Sequence, residues 1–272
     1  MDQITLGRTG LRVSRVGMGT GGHSQLGRKG GGTNENAVAI VKAALDRGVT
    51  FIDTAASYGT EPIVREALQG RRDVVISTKV KITVSDKAGA TGPLIDGPEL
   101  KRRAEKCLSL LGRDCVDILH LHGVRPDEYG HSVRELVPAL YDLRQAGKIR
   151  FLGLTEKFDE DTSHVMLDRA LNDDHWDVVM TGINIVNQTA LRRALPAMRA
   201  RNLGMMCMYA VRSGLVDRAS SAILAQQLIA GGEVDAARID AQDPLGFAVT
   251  GSGARSLTEA AYRFSQIGRA HV

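Results

Sequence analysis

Four side chains that can hold or move a proton stand at or just beyond the ends of three consecutive apolar segments. Each segment is short and mostly apolar, as is typical of a buried β-strand. In a parallel sheet that closes into a barrel, the carboxyl ends of the strands meet at one rim, so polar residues there are brought together. The four residues are Asp53, Tyr58, Lys79 and His122. The sequence therefore predicts a site that combines a carboxylate, a phenol, an amine and an imidazole.

This combination suits hydride transfer to or from a carbonyl carbon. A carbonyl that accepts a hydride develops negative charge on its oxygen, and a proton donor must meet that charge. We assign the donor role to Tyr58. A tyrosine has an ordinary pKa of ~10, and we expect the ammonium of Lys79 to lower that pKa by favouring the phenolate. Asp53 is expected to hold Lys79, and His122 to hydrogen-bond the substrate oxygen.

The elements that must position these residues alternate along the chain. Short apolar segments alternate with amphipathic ones, which is the pattern of a parallel sheet with helices packed outside it. Seven strands are predicted, at residues 13–18, 50–53, 74–79, 116–122, 149–154, 178–185 and 204–209. Seven helices are predicted, at residues 36–46, 61–68, 98–111, 132–146, 161–171, 189–201 and 256–264. A turn at Arg8-Thr9-Gly10 predicts a hairpin before the first helix.

Right-handed β-α connections repeated this often favour a (β/α)8 TIM barrel, an α/β fold, preceded here by the N-terminal β-hairpin. A doubly wound open sheet is the alternative, but no strand leads into a GxGxxG turn. Glycine-rich stretches at 19–22 and 27–32 lack the phosphate-loop spacing, and we interpret them as a loop after the first strand. Residues 1–272 are expected to form a single domain.

Composition and charge narrow the class of protein. The net charge of +4 comes from Lys and Arg scattered along the chain, so no nucleic-acid partner is predicted, whereas a small phosphate-bearing ligand fits this mild bias. No apolar run is long enough to span a membrane, and no leader pattern is present, so we expect a cytoplasmic protein without a membrane partner. Cys107, Cys115 and Cys207 lack metal-ligand spacing, and no metal site is predicted.

Three segments around the four residues resemble signature segments of the aldo-keto reductase family. They are Phe51-Ile52-Asp53-Thr54-Ala55 with Tyr58-Gly59, then Ser77-Thr78-Lys79, and Asp117-Ile118 with Leu121-His122. The opening hairpin and the first strand also resemble the family, so the resemblance extends over nearly the whole chain. It implies an NAD(P)-dependent oxidoreductase acting on a small carbonyl or alcohol substrate. It also implies that the four residues are the catalytic tetrad, with Tyr58 as general acid in reduction and general base in oxidation.

The same resemblance suggests which residues bind the cofactor, for which we favour NADP over NAD. Where the family places Ser-Asn after the fifth strand, this chain has Thr155 and Glu156. Where many members carry a glutamine on the sixth strand, it has Met180, with an asparagine further on. The expected cofactor-binding residues are Gly19, Thr20, Thr155, Asn184 and Tyr209, the last stacking on the nicotinamide.

Other functions stay open at this point. The departures from the family pattern resemble sugar and pyridoxal dehydrogenases, so oxidation of a sugar or polyol is an alternative to carbonyl reduction. A barrel aldolase would use Lys79 as a Schiff-base amine, but Asp53 as its charged partner argues against that role. A regulatory, cofactor-binding member without activity would be expected to have lost one of the four residues, and all four are present.

The carboxyl-terminal end of the sequence departs from the expected barrel. After the helix predicted at 256–264 the chain reaches Val272 without an eighth strand, and that unit is expected to be missing. Residues 266–272 break the apolar spacing and match what a common sequencing adapter would encode, so we interpret this end as artificial. An open barrel would expose strand edges and core side chains, so we expect instability, aggregation and weak cofactor binding, and an inactive fragment is an alternative to an active enzyme.

Overall fold

A computed structural model of the protein describes residues 1–22, 24–85 and 91–266. The expectations about residues 267–272 therefore lie outside the described residues. The strands are β1 (Gln3–Thr5), β2 (Arg12–Ser14), β3 (Met18–Gly19), β4 (Phe51–Asp53), β5 (Val75–Lys81), β6 (Val116–Val124), β7 (Ile149–Glu156), β8 (Val178–Gly182) and β9 (Gly204–Met208). The longer helices are α1 (Asn34–Asp46), α2 (Glu61–Leu68), α3 (Gly97–Leu111), α5 (Val137–Gln145), α9 (Arg218–Ala230) and α11 (Leu257–Gln266). The shorter ones are α4 (Tyr129–His131), α6 (Val165–Ala170), α7 (Thr189–Arg193), α8 (Leu195–Ala200) and α10 (Gly246–Ser252).

Strands β3 to β9 form one parallel sheet in which each strand pairs with the next along the chain. This curved sheet, wrapped by helices, is the α/β architecture of a (β/α)8 barrel, and seven barrel strands lie among the described residues, as predicted. Within that part of the chain, β3 and β9 form the two edges of the sheet.

Alternate residues along each strand pack into two different apolar layers. The larger layer lies between the sheet and the helices, and it includes Ile76, Leu119 and Leu152. The smaller layer lies inside the curve of the sheet, and it includes Phe51 and Ile118. This alternation follows from the two-residue period of a strand, and it sends polar residues near the carboxyl ends of the strands into the barrel interior.

The N-terminal hairpin closes the base of the barrel interior. β1 and β2 pair antiparallel, with Ile4 opposite Val13, and Gly10 at the turn has φ +69°, a value that favours glycine. Leu6 and Leu11 are buried in the interior layer. The predicted hairpin is confirmed, but the predicted first barrel strand at 13–18 is wrong in its extent, because residues 13–14 pair with β1.

Several helices differ from the prediction. The segment predicted as one helix at 189–201 is split into α7 and α8, which meet at Ala194. The helix predicted at 132–146 continues from α4 through a π-helical turn at Ser132–Leu136 into α5. Helices α9 and α10 are not among the predicted helices. Ten of the 13 residues of α9 are apolar or small, so this helix has little amphipathic periodicity to detect.

Candidate active site

The interior faces of β4 and β5 bring three polar residues together. Asp53 ends β4, and Ser77 and Lys79 lie two residues apart on the interior face of β5, because side chains on a strand alternate between its faces. Asp53 accepts a hydrogen bond from Ser77 Oγ at 2.8 Å and forms a short ion pair with Lys79 Nζ. Lys79 Nζ also donates to the Thr54 carbonyl oxygen at 2.9 Å. Lys79 is only 1% exposed, so these bonds fix its ammonium inside the barrel.

Tyr58 reaches the same place from the loop that follows β4. It ends a short 3-10 helix at Ala56–Tyr58, and its ring centroid lies 5.2 Å from Lys79 Nζ. The rings of Tyr58 and His122 meet edge to face, with centroids 5.7 Å apart and an interplanar angle of 86°. The structure thus brings together all four of the residues Asp53, Tyr58, Lys79 and His122.

Gly21, which was not among the predicted site residues, packs against the ring of Tyr58. A β-carbon at this position would lie 2.6 Å from Tyr58 Cε2, closer than a side chain can approach. Position 21 therefore needs a glycine if Tyr58 is to keep its place. Gly21 and Tyr58 are 37 residues apart in the chain, so no local sequence pattern predicts their contact.

The electrostatics of the site correct one expectation. Burial raises the pKa of Tyr58, and the positive charge of Lys79 lowers it by less, so the pKa lies above its ordinary value. The expected net lowering is wrong, although Lys79 acts in the expected direction. Burial alone would lower the pKa of Lys79, but Asp53 and Tyr58 together raise it, so its amine is a stable ammonium. A stable ammonium is unsuited to attack a carbonyl as a Schiff-base amine.

The two histidines of β6 occupy successive layers of the barrel interior. His120 is paired in register with Lys79, and His122, one layer nearer the rim, is paired with Lys81. Burial, reinforced by the charge of Lys79, lowers the pKa of His120 to about 3. Burial and the charges of Lys79 and Lys81 also hold the pKa of His122 well below its ordinary value. Both imidazoles are therefore neutral near pH 7, and His122 can exchange hydrogen bonds with an uncharged substrate oxygen.

The predicted cofactor residues of the first strand and its loop differ in what they offer. Gly19 is exposed and lies level with Asp53 in the sheet. Thr20 is fully buried, and its hydroxyl lies 2.8 Å from that of Thr60, which is 3.1 Å from that of Thr54. The Thr20 side chain therefore belongs to a chain of buried hydroxyl groups that fastens the loop to the start of α2.

Thr155 and Asn184 also make internal hydrogen bonds. The hydroxyl of Thr155 accepts from the Gly123 backbone N–H at 2.6 Å, which leaves its own proton free to be donated. Asn184 Oδ1 accepts from the backbone N–H groups of Val186 and Asn187, and Nδ2 donates to the Tyr209 carbonyl oxygen at 3.2 Å. Asn184 therefore shapes the loop after β8 and holds the segment after β9.

Tyr209 follows β9 and, like Gly19, is exposed. Its side chain is 42% exposed, and its backbone adopts a positive φ of 60°. The ring stacks on Phe158 with centroids 5.6 Å apart. The Arg212 guanidinium carbon lies 4.7 Å from the centroid of the Tyr209 ring. An aromatic ring and a cation are therefore adjacent at this edge of the sheet.

Glu156 faces the helix layer, not the barrel interior. It is 2% exposed and accepts hydrogen bonds from Thr181 Oγ1 at 2.6 Å and from the Gly182 backbone N–H at 2.8 Å. Its other oxygen lies 2.8 Å from His164 Nδ1, and His164 Nε2 lies 2.8 Å from Thr189 Oγ1. The negative charge that the sequence places next to Thr155 is thus part of a buried network behind the sheet.

The rim after β6 carries positive charges that differ in their partners. Arg125 pairs with Glu128 at 3.2 Å and with Glu160 at 2.5 Å. Tyr129 is buried, and its hydroxyl donates a hydrogen bond to Asp173 at 2.6 Å.

Lys81, on the interior face of β5, is not among the site residues predicted from the sequence. Its position two residues after Lys79 could have indicated that it faces the same site.

Two kinds of feature, a metal-ligand cluster and a membrane-spanning helix, are not found among the described residues. No group of three or more His, Cys, Asp or Glu in this part of the chain is arranged to hold a metal ion. None of the helices in the same residues has the length and apolar character needed to cross a membrane.

Comparisons with known proteins agree on one family. The sequence profile of the aldo/keto reductase family matches residues 15–228. L-galactose dehydrogenase of Arabidopsis thaliana is 32% identical over 220 residues, which are 78% of this chain and 66% of the relative. Aldo-keto reductase YhdN of Bacillus subtilis is 33% identical over 161 residues, which are 57% of this chain and 47% of the relative. The chain therefore spans between about half and two thirds of these relatives.

A solved structure supports the fold. The aldo/keto reductase of Klebsiella pneumoniae in complex with NADP and acetate superposes with a TM-score of 0.59 and 24% sequence identity. The superposition covers 88% of this chain and 78% of that protein.

Proposed function

Because this chain belongs to the aldo/keto reductase family, we propose that it is an NAD(P)-dependent oxidoreductase that interconverts a small carbonyl compound and its alcohol. The observation that carries the proposal is the buried Lys79, which is paired with Asp53 and lies 5.2 Å from the centroid of the Tyr58 ring. The nicotinamide, when bound, supplies or accepts the hydride. The residues of this chain supply the proton and hold the substrate.

In the proposed reduction, Tyr58 gives its phenolic proton to the substrate oxygen as negative charge develops there. Lys79 stabilises the phenolate that remains, and Asp53 keeps Lys79 in place and balances its charge. Neutral His122 hydrogen-bonds the same oxygen and orients the carbonyl. In oxidation the phenolate of Tyr58 takes the proton back, so one arrangement serves both directions.

Residues on β3, on β7 and just after β9 offer some of the groups that a bound dinucleotide would need. Tyr209 offers a partly exposed ring suited to stacking on a nicotinamide, and Arg212 next to it offers a cation suited to a phosphate group. Gly19 offers exposed backbone, and Thr155 offers a free hydroxyl proton. We favour NADP because of the positive charge of Arg212 and the basic net charge of the chain. Thr20 and Asn184 would act through the loops they hold.

A second candidate is oxidation of a sugar or polyol. The observation that favours it is the 32% identity to L-galactose dehydrogenase. The name of that relative describes an enzyme that oxidises a sugar.

A paired assay tests both candidates. One arm follows NADPH oxidation with a panel of aldehydes, and the other follows NAD or NADP reduction with sugars and pyridoxal. Turnover confined to one arm selects that direction. No turnover in either arm, from a folded protein that binds NADPH, would reject the proposed activity in favour of a cofactor-binding protein.

A further inference from the structure

The interior face of β5 carries a second lysine, one layer nearer the rim than Lys79. Residues two apart on a strand point to the same side, so Lys81 lies above Lys79 at the entrance to the same site. It is level with His122 on the neighbouring strand. A β-carbon at Gly123 would lie 3.6 Å from Lys81 Nζ, which places the ammonium beside the irregular part of β6 that follows His122.

Among the residues that the structure describes, Lys81 differs from its cationic neighbours in forming no ion pair with a carboxylate. Arg125 is bound by Glu160 at 2.5 Å, and Lys157 is bound by Asp159 at 2.5 Å. Throughout residues 1–22, 24–85 and 91–266, Lys81 forms neither an ion pair nor a hydrogen bond of its side chain. The carboxylates of Asp159 and Glu128 act on Lys81 only from beyond ion-pair distance, and they raise its pKa by less than the opposing effects lower it.

The surroundings of Lys81 make an unbalanced charge costly. Its side chain is half-buried, and burial together with the charges of Lys157 and Arg125 lowers its pKa. A cation that has lost part of its hydration and faces other cations gains free energy when an anion binds beside it. Lys81 is paired in register with His122, so an anion bound to Lys81 would lie beside the place where His122 is proposed to hold the substrate oxygen.

We propose that Lys81 binds a carboxylate carried by the substrate, so that the preferred substrates are small carbonyl or hydroxy acids. This inference rests on the proposed function and specifies its substrate class. Adjacent strands are ~4.8 Å apart, so an acid group on Lys81 lies only a few bonds from a carbonyl oxygen on His122. Arg125 and Lys157 are already paired with carboxylates, so Lys81 offers one positive charge to a ligand. One positive charge suits a carboxylate better than a phosphate dianion.

The test compares the binding of 3-formylbenzoate with that of its neutral methyl ester by calorimetry, with NADP present. Wild-type protein should bind the acid about 10-fold more tightly than the ester, as expected for one charge-assisted contact. Lys81→Met should bring the two affinities together by weakening only the acid, and Lys81→Arg should keep the preference. Lys148→Met is the matched control, because Lys148 precedes β7 at the opposite end of the barrel, where it pairs with Glu105.

Equal affinity of wild-type protein for acid and ester would overturn the inference, as would an unchanged preference in Lys81→Met or a failure to bind either compound. Reduction of the neutral ester by NADPH reports the proposed function separately. If the ester is reduced and the acid is not preferred, the carboxylate site is rejected and the proposed function is retained. If the acid binds in a Lys81-dependent way and neither compound is turned over, the proposed function is rejected and the carboxylate site is retained.

Discussion

The phenol of Tyr58 is the single group whose removal should affect the proposed reaction most. Tyr58→Phe keeps the ring contacts with Gly21 and His122 but has no proton to give, so turnover should fall by about 10²–10⁴, the usual effect of general acid catalysis. NADPH affinity should hardly change. Tyr141→Phe is the control, because that hydroxyl lies on α5 and binds His175. Steady-state kinetics decide, and a Tyr58→Phe enzyme with wild-type turnover would show that another group supplies the proton.

Lys79 should set the pH at which Tyr58 works. Burial raises the pKa of Tyr58, and the charge of Lys79 offsets part of this rise, so Lys79→Met should raise that pKa further. Oxidation uses the phenolate, which is lost as pH falls below the pKa. The alkaline rise in oxidation rate should therefore move to higher pH in the variant. The pH-rate profile measures this, with thermal melting to confirm that the variant folds; a profile identical to wild type would contradict the argument.

The loop after β3 should hold the ring of Tyr58 in place. Gly21→Ala puts a β-carbon 2.6 Å from Tyr58 Cε2, so the ring must move, and turnover should fall by about 10-fold to 10²-fold, as for a small misplacement of a reacting group. Gly30→Ala, in the same loop, is the matched control, because a β-carbon at Gly30 meets nothing within 4 Å. We expect little change in the melting temperature of either variant. Equal turnover of the two would show that the loop yields without moving the ring.

The network around Glu156 should stabilise the junction of β7, β8 and α7. Glu156→Ala leaves Thr181, Gly182 and His164 without their shared acceptor, so the free energy of unfolding should fall by about 3 kcal/mol or more. Glu105→Ala is the control, because Glu105 is exposed, and removing its ion pair should cost under about 1 kcal/mol. Urea unfolding measures both. A loss for Glu156→Ala no larger than that of the control would show that the network adds no stability.

At the scale of the whole molecule, the hairpin and the barrel share one interior layer. Leu6 is fully buried between them, so Leu6→Ala should lower the free energy of unfolding by about 2–5 kcal/mol, as is usual for a buried leucine. Ile223→Ala, at a side chain that is 57% exposed, is the control and should have little effect. Denaturant unfolding should show one transition. A separate early transition for the hairpin would show that it folds independently of the barrel.

Local patterns in the sequence are enough to predict the existence of seven barrel strands, the hairpin, and the four rim residues that the fold brings together. These follow from local rules: strand periodicity, turn residues, and the meeting of strand ends at one rim. Resemblance to a family added the expected role of each residue. The sequence failed where a boundary depended on a distant partner, as at residues 13–14, which pair with β1 and not with the barrel.

Which polar side chains remain available to bind a ligand depends on contacts that form only in the folded protein. Thr20 and Glu156 appear at positions where a ligand contact is expected, but Thr60 and His164 occupy their hydrogen-bonding groups. The predicted site residues do not include Lys81, yet it is a rim cation that forms no ion pair with a carboxylate in the described part of the chain. The net pKa of Tyr58 also depends on burial. Hydrogen bonds, ion pairs and burial join segments far apart in the chain, so local patterns do not record them.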